Sequence, residues 1–297
     1  DSAAQDMFLQ LEFSKREVML GEPLRADLYL YQNANVAGFE GARFPAFDGF
    51  WKNEEAPANI QFTQKRVGDR IYNVALIRGY DLIPQQVGEL TVEPAELVCL
   101  VNVRSQIQNT GSIFDAFFQN EYETVRRRLR TPEIKVKVNP LPQPAPADFC
   151  GGVGRFSLTA SVGRDTLTAH EAGSLVVKVK GNGNTSLLEA PKIDFPPDFE
   201  VYDVKATENT DKSNGKTSGS KTFEYPFIPR SYGEFTIEPV NYTYYDVDAH
   251  RYVTLTTEPM QLNVARGAES DQPVQSGQIV TGVSRRGVKD LGSDIRY

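Results

Sequence analysis

His170, His250, Cys99 and Cys150 are the only imidazoles and thiols in the chain, and they bound the chemistry open to it. A histidine acts as a general base or a metal ligand near neutral pH, and a cysteine acts as a nucleophile, a ligand or half of a disulfide. Each of these roles needs a second group close in space, such as a serine or cysteine beside the histidine with a carboxylate to orient it. The two histidines stand 80 residues apart, each in a stretch that reads as a turn, and neither adjoins a nucleophile motif. HExxH, CxxC, GxSxG and Walker sequences do not occur. Gly181-Asn-Gly183-Asn lacks the third glycine and the following helix of a phosphate-cradling loop, and reads as a turn. Asp246-Val-Asp248 offers two carboxylates where calcium takes roughly six to eight oxygens, and reads as a polar hairpin tip. The sequence therefore assigns no catalytic, cofactor-binding or metal-ligating residue, and a non-enzymatic protein without cofactors is expected.

The two cysteines leave two readings open. Cys99 ends an apolar run and Cys150 follows a proline-rich stretch, so a bridge would close a loop of about 50 residues and contribute roughly 4 kcal/mol in the chain-entropy picture. The other reading keeps Cys99 buried and Cys150 apart from it and partly exposed. The sequons Asn184-Thr-Ser and Asn241-Tyr-Thr are short enough to arise by chance.

The segment Ser112-Ile-Phe-Asp-Ala-Phe-Phe-Gln-Asn120 offers binding rather than bond-making chemistry. Ile113, Phe114, Phe117 and Phe118 fall at helical spacing, and Ser112 with Asp115 matches a capping box, which predicts a two-turn helix. Each such side chain left in water forgoes ~1.5 to 3 kcal/mol, so four amount to ~6 to 12 kcal/mol. That rivals the ~5 to 15 kcal/mol that holds a whole domain folded. The cover comes from the parent domain, a protein partner or a membrane surface. Downstream, Arg126, Arg127, Arg128 and Arg130 read either as the solvent side of a strand or as a docking site for an acidic partner. Ile113, Phe114, Phe117, Phe118, Arg126 and Arg127 are the candidate partner-binding residues.

The elements that position these residues are strands. Of 297 residues, 40% are hydrophobic and 24% charged, with 23 Gly, 18 Pro, 13 Tyr and 17 Phe, a profile of many short strands and turns. The net charge of −7 supplies no basic field for nucleic acid. No apolar run approaches the ~20 residues of a bilayer span, and the start without Met suggests either a processed secretory protein or a fragment.

An internal repeat shows how the strands are organised. Tyr80-Asp-Leu-Ile-Pro84-Gln-Gln-Val-Gly88-Glu-Leu-Thr-Val-Glu-Pro94 returns as Tyr225-Pro-Phe-Ile-Pro229-Arg-Ser-Tyr-Gly233-Glu-Phe-Thr-Ile-Glu-Pro239, with eight of fifteen positions identical at an offset of 145. Val18-Met-Leu-Gly-Glu22 likewise faces Leu167-Thr-Ala-His-Glu171 at an offset of 149. A period this long means two copies of a whole domain. Proline before a turn and glycine within it, followed by alternating apolar residues, spell strand, turn and strand. The expected fold is all-β, with two tandem immunoglobulin-like β-sandwich domains over 1–140 and 148–266 and a short helix inserted in the first near 112–120. Asn139 to Ala147, with four prolines in nine residues, is the stiff linker between them. Thr207 to Lys221 reads as a long polar hairpin loop, and 267–297 as a polar flexible tail toward a membrane anchor.

Several segments in their order resemble one family. They are Asp148-Phe-Cys-Gly-Gly-Val-Gly-Arg-Phe156, Val179-Lys-Gly181-Asn-Gly183, Pro191-Lys-Ile-Asp-Phe195-Pro, Phe199-Glu-Val-Tyr202 and Gly219-Ser-Lys-Thr-Phe223-Glu-Tyr-Pro-Phe-Ile-Pro229. With the aromatic insertion and the closing Asp294-Ile-Arg-Tyr297, they are similar to BatD, the bacterial oxygen-tolerance or aerotolerance family. The resemblance implies a signal peptide upstream, a periplasmic run of immunoglobulin-like domains and a downstream transmembrane anchor at the inner membrane. It also implies work beside other Bat proteins with von Willebrand A domains, and indirectly a MoxR-type ATPase. It brings no catalytic residues. The function expected from it is a protein-interaction scaffold of a membrane-associated Bat complex in oxygen and oxidative-stress tolerance; the other reading is a glycan- or peptide-binding module of the cell envelope.

Overall fold

Period-two alternation is visible from the first strand, where Met7, Leu9 and Leu11 are buried and Phe8, Gln10 and Glu12 are turned the other way. The structure, a computed structural model, describes residues 6–104, 122–211 and 218–267 and is all-β there. The N-terminal strands are β1 (Met7–Phe13), β2 (Glu17–Met19), β3 (Leu24–Gln32), β4 (Val36–Arg43), β5 (Phe50–Glu55), β6 (Phe62–Val67), β7 (Arg70–Pro84), β8 (Gly88–Val92), β9 (Glu96–Arg104), β10 (Tyr122–Arg130) and β11 (Ile134–Asn139). They form a sheet ordered β1-β3-β7-β5, with β6 also on β7, and two three-stranded sheets, β10-β9-β4 and β2-β11-β8. The core between them includes Leu28, Leu30, Tyr80, Leu82, Val92, Cys99 and Val136.

The C-terminal strands are β12 (Phe149–Val162), β13 (Thr166–Thr168), β14 (Gly173–Gly183), β15 (Phe199–Val201), β16 (Lys205–Asp211), β17 (Ser218–Pro229), β18 (Gly233–Ile237), β19 (Asn241–Asp246), β20 (Arg251–Thr256) and β21 (Met260–Ala265). One sheet runs β15-β17-β14-β12-β19-β20, with β16 also on β17, and faces a second, β13-β21-β18. Its separate core includes Leu175, Val177, Phe223, Phe227, Tyr242 and Leu262. Among the described residues no strand pairs across 140–148.

The repeat read from the sequence is a repeat of structure. β7-β8 and β17-β18 are the same strand, turn and strand: Tyr80 and Tyr225 are buried, Pro84 and Pro229 end their strands, and Gly88 (φ 117) and Gly233 (φ 139) open the next. Positive φ at these turns is what glycine accommodates most readily. The turn before β3 and its counterpart before β14 seat on those strands alike, with Gly21 N–H donating to Pro84 O at 3.1 Å and His170 N–H to Pro229 O at 2.8 Å.

Two sequence expectations change and a third is untested. Gly181-Asn-Gly183 is not a turn but the end of β14, where Gly181 opposes Phe156 and Gly183 opposes Gly154. A Cβ on Gly181 would lie 1.9 Å from Arg155 O, so glycine is there for close backbone approach. The polar stretch from Thr207 is largely ladder, since β16 pairs with β17 from Lys205 to Asp211. The predicted helix at 112–120 lies outside the described residues, and the one helical element among those described is a 3₁₀ turn at Thr185–Leu187.

The proline-rich linker is seated on the C-terminal sandwich. Tyr252 OH donates to Pro142 O at 2.8 Å, and Phe149 meets the Tyr252 ring edge-on at 5.3 Å. A Cβ on Gly21 would stand 3.0 Å from Val153 Cγ2 and 3.3 Å from Asn184 Nδ2, so that turn lies against the start of the second sandwich.

Candidate functional site

Cys99 lies mid-way along β9, and its neighbours sort the strand into two faces. Leu97, Cys99 and Val101 are buried in the first core, while Val98, Leu100 and Asn102 are half-buried on the opposite side. β10 pairs antiparallel with β9 in unbroken register from Tyr122 opposite Arg104 to Arg130 opposite Glu96. Alternation therefore places Val125, Arg127 and Leu129 toward the core, and Thr124, Arg126, Arg128 and Arg130 out to solvent. The arginines named together from the sequence, Arg126 and Arg127, thus point to opposite faces.

On the other flank of β9, Gly38 of β4 stands opposite Leu100 and Gly41 opposite Val98, with bulges between Val36 and Gly38 and between Phe39 and Gly41. Two rows result, Gly38–Leu100–Arg126 and Gly41–Val98–Arg128. Among the described residues no atom beyond the chain neighbours lies within 4 Å of where a Cβ would stand on either glycine, so they leave the aliphatic floor open on that side. Arg126 Nη2 reaches Glu40 Oε1 at 2.6 Å and Arg130 Nε reaches Glu96 Oε1 at 3.7 Å. Both guanidinium groups remain mostly exposed, and ion pairs of this kind contribute about 0 to 1 kcal/mol. The sequence signal for this face was the alternation of arginines; nothing local marked Gly38 or Gly41.

Cys99 and Cys150 do not pair. Both are free buried thiols, one in each core, so the disulfide reading is corrected, as is the expectation of a partly exposed Cys150. Strand alternation turns each side chain into its own sandwich, and Cys150 Sγ donates to Asp148 O at 3.4 Å. Burial pushes the Cys99 thiol pKa up to about 11, and burial with nearby Glu189 and Asp148 does the same to Cys150. Ile113, Phe114, Phe117 and Phe118 lie outside the described residues.

The other candidates have structural partners. His170 and His250 occupy turns at φ 69 and φ 54, and His170 Nδ1 lies 3.3 Å from Arg230 Nη1 rather than beside a carboxylate. Asp246 Oδ1 accepts the N–H groups of Asp248 and Ala249, both at 2.9 Å, and Asp248 pairs with Arg155 at 3.4 Å, which makes the pair a turn cap. Among the described residues no three His, Cys, Asp or Glu side chains gather as a metal site would require. Asn184, the first sequon residue, is buried and uses both amide atoms: Oδ1 accepts Val153 N–H at 2.7 Å and Nδ2 donates to Gly151 O at 2.8 Å.

A charge cluster that the sequence did not announce surrounds Arg25. Its guanidinium meets Asp27 at 2.9 Å, Asp81 at 3.0 Å and Glu55 at 3.3 Å, side chains from β3, β7 and β5. It lies over Gly79, where a Cβ would stand 2.0 Å from Arg25 Nη2. Burial works against its charge, but the hydrogen bonds to Asp81 and Asp27 outweigh it and hold the pKa above the ordinary arginine range. The cluster is a permanent brace across three strands.

Residues 160–264, from within β12 to within β21, match the BatD DUF11 like domain. Among solved structures, the Yersinia pseudotuberculosis adhesin InvE aligns at 12% identity with a TM-score of 0.23, covering 86% of this chain and 59% of the adhesin chain. The type II cohesin dyad from the adaptor ScaA scaffoldin of Acetivibrio cellulolyticus aligns at 9% identity with a TM-score of 0.21, covering 87% of this chain and 96% of the dyad. This chain thus spans less than two thirds of the adhesin's length, and neither structure bears on function. No curated protein matches the sequence. No helix among the described residues is long and apolar enough to cross a membrane.

Proposed function

The chain carries a BatD-family domain at residues 160–264, and on that premise we propose that it is a non-enzymatic interaction scaffold on the periplasmic side of the inner membrane. In this reading it joins other Bat proteins with von Willebrand A domains, and through them a MoxR-type ATPase, in tolerance of oxygen and oxidative stress. The observation that carries the scaffold role is the outer face of β4, β9 and β10, which exposes arginines and half-buried aliphatic side chains on a sheet whose other face is already committed to the core. Arginine is enriched at protein contacts relative to the rest of the surface.

Affinity capture of the tagged full-length protein from its own membranes tests the proposal. Recovery of von Willebrand A domain Bat proteins is the expected result, together with peroxide sensitivity on deletion. Recovery of none of them would overturn it. The glycan- or peptide-binding reading draws on an open depression lined by Asp6, Asn33, Gln64, Asp69, Arg70 and Asn73, whose amide and carboxylate groups suit sugar hydroxyls. Retention on a glycan array by the wild type, lost on Asn73→Ala, would favour it.

A further inference from the structure

The β4-β9-β10 sheet differs in charge from the protein it belongs to. The chain carries a net charge of −7, yet Arg43, Arg104, Arg126, Arg128 and Arg130 stand on these three strands and outnumber the carboxylates on or beside them, Glu40, Glu93, Glu96 and Glu123. Among the described residues Arg104 and Arg128 have no ion-pair partner. Arg126, Arg128 and Arg130 are alternate residues of one unbulged strand, so their Cα atoms repeat every ~6.5 to 7 Å. Alternate side chains of any extended chain repeat with the same period, whereas a helix turn does not match it. Beside the arginines run the half-buried Leu100 and Val98, which among the described residues have no side chain over them from Gly38 and Gly41 of β4.

We propose that this face binds an extended acidic segment of a partner protein, its carboxylates on Arg126, Arg128 and Arg130 and its aliphatic side chains over Leu100 and Val98. The proposal rests on the scaffold reading above and names the surface and the chemistry of its partner. Guanidinium groups take carboxylates in a two-pronged geometry, which suits Asp and Glu side chains repeating along an extended segment. Arg126 must exchange Glu40 for a carboxylate of the partner, and that exchange costs little because the existing pair is exposed.

The test uses the full chain and a fluorescein-labelled ten-residue peptide of alternating Glu and Val, followed by anisotropy. Binding that weakens as salt rises is expected, with the Lys and Val counterpart not binding. Arg126→Glu/Arg128→Glu should weaken binding about tenfold or more. Gly41→Trp, which fills the open floor without altering charge, should weaken it as well. Arg66→Glu, on exposed β6, is the control that should leave binding unchanged, and unfolding curves show whether each variant is folded. Absence of binding to the wild type, equal binding of the lysine peptide, or full affinity in both test variants would overturn the proposal. Binding of phosphatidylglycerol vesicles in place of the peptide would also overturn it. If Bat proteins co-purify equally with Arg126→Glu/Arg128→Glu, this inference fails while the scaffold role stands. If the peptide binds but no Bat protein co-purifies with the wild type, the scaffold role fails and the acidic-segment site stands.

Discussion

Glu22 and Glu171 make the same bond in the two halves of the chain: Glu22 Oε2 accepts the Met19 N–H at 2.8 Å, and Glu171 Oε2 accepts the Thr168 N–H at 3.0 Å. Each is also paired with a cation seven residues before it, Lys15 in one half and Arg164 in the other. The residues just before them, Gly21 and His170, both take positive φ. The turn so fixed delivers β2 into parallel pairing with β11, and β13 into parallel pairing with β21. A duplicated turn has thus kept a side chain-to-backbone bond, not merely a hydrophobic pattern.

The two carboxylates differ in exposure, 9% for the Glu22 side chain and 38% for Glu171. Glu22→Ala should therefore cost roughly 1.5 to 3 kcal/mol in urea unfolding, and Glu171→Ala clearly less. Equal losses would contradict the difference in burial. The Thr168 N–H, and then Arg164, hold the Glu171 carboxyl below its ordinary value of 4.5. A depressed pKa favours the folded state above the unfolded value and loses that advantage as pH falls through the folded one. The stability gap between wild type and Glu171→Gln should accordingly close on acidification below 4.5.

Gly154→Ala should unfold the C-terminal sandwich while the N-terminal one survives. Gly154 has φ 146, and a Cβ there would stand 2.2 Å from Asn182 O and 2.7 Å from Gly183 Cα, backbone atoms that cannot swing aside. A loss above about 3 kcal/mol is expected by thermal unfolding. Gly38→Ala, whose Cβ would meet nothing within 4 Å among the described residues, is the comparison and should unfold with the wild type.

Asn184→Ala should cost roughly 2 to 4 kcal/mol, because it leaves the Val153 N–H and the Gly151 carbonyl without the amide that holds both. The Gly21 turn lies against the same two side chains, Val153 and Asn184. Faster hydrogen exchange in residues 149–154 and around Gly21 is the accompanying result.

Thiol titration should find no reactive cysteine in the native protein and two after denaturation, with no change in Tm on adding reductant. Both thiols have pKa values raised from 9.0 to about 11. A raised pKa leaves the folded state at its full advantage below the unfolded value, and that advantage is lost as pH climbs through the folded one. Stability should be flat up to about pH 9 and fall between 9 and 11, by roughly 1 to 3 kcal/mol for each thiol. Replacing both by Ala should make the fall between 9 and 10 shallower, while the buried Tyr80, Tyr225 and Tyr242, whose pKa values burial also raises from 10.0, keep the limb falling above that.

Strands with one buried face could be read in advance, since Leu28 and Leu30, Val136 and Val138, and Leu262 and Val264 stand two residues apart. β6 could not, because all six of its residues are exposed and no alternation of hydrophobicity marks it. The polar β16 reads as loop in the sequence, and Gly181-Asn-Gly183 as a turn, although partners across the sheet make both into strand. The cysteines show the same limit: Cys99 at the end of an apolar run and Cys150 just after the linker leave a bridge open in the sequence, but the parity of each position within its strand sends the side chain into its own core.

The all-β class and the duplicated strand, turn and strand at Tyr80 and Tyr225 were settled by sequence alone, because burial with period two and Pro-Gly punctuation are local properties of the chain. Which arginines meet solvent, and which residues lie beside them, was decided only by tertiary structure. Arg126 and Arg127 are one residue apart and differ in nothing until β10 is paired with β9. Gly38 and Gly41 are ordinary glycines until register sets them opposite Leu100 and Val98, and register is a sum of contacts between residues some 60 positions apart.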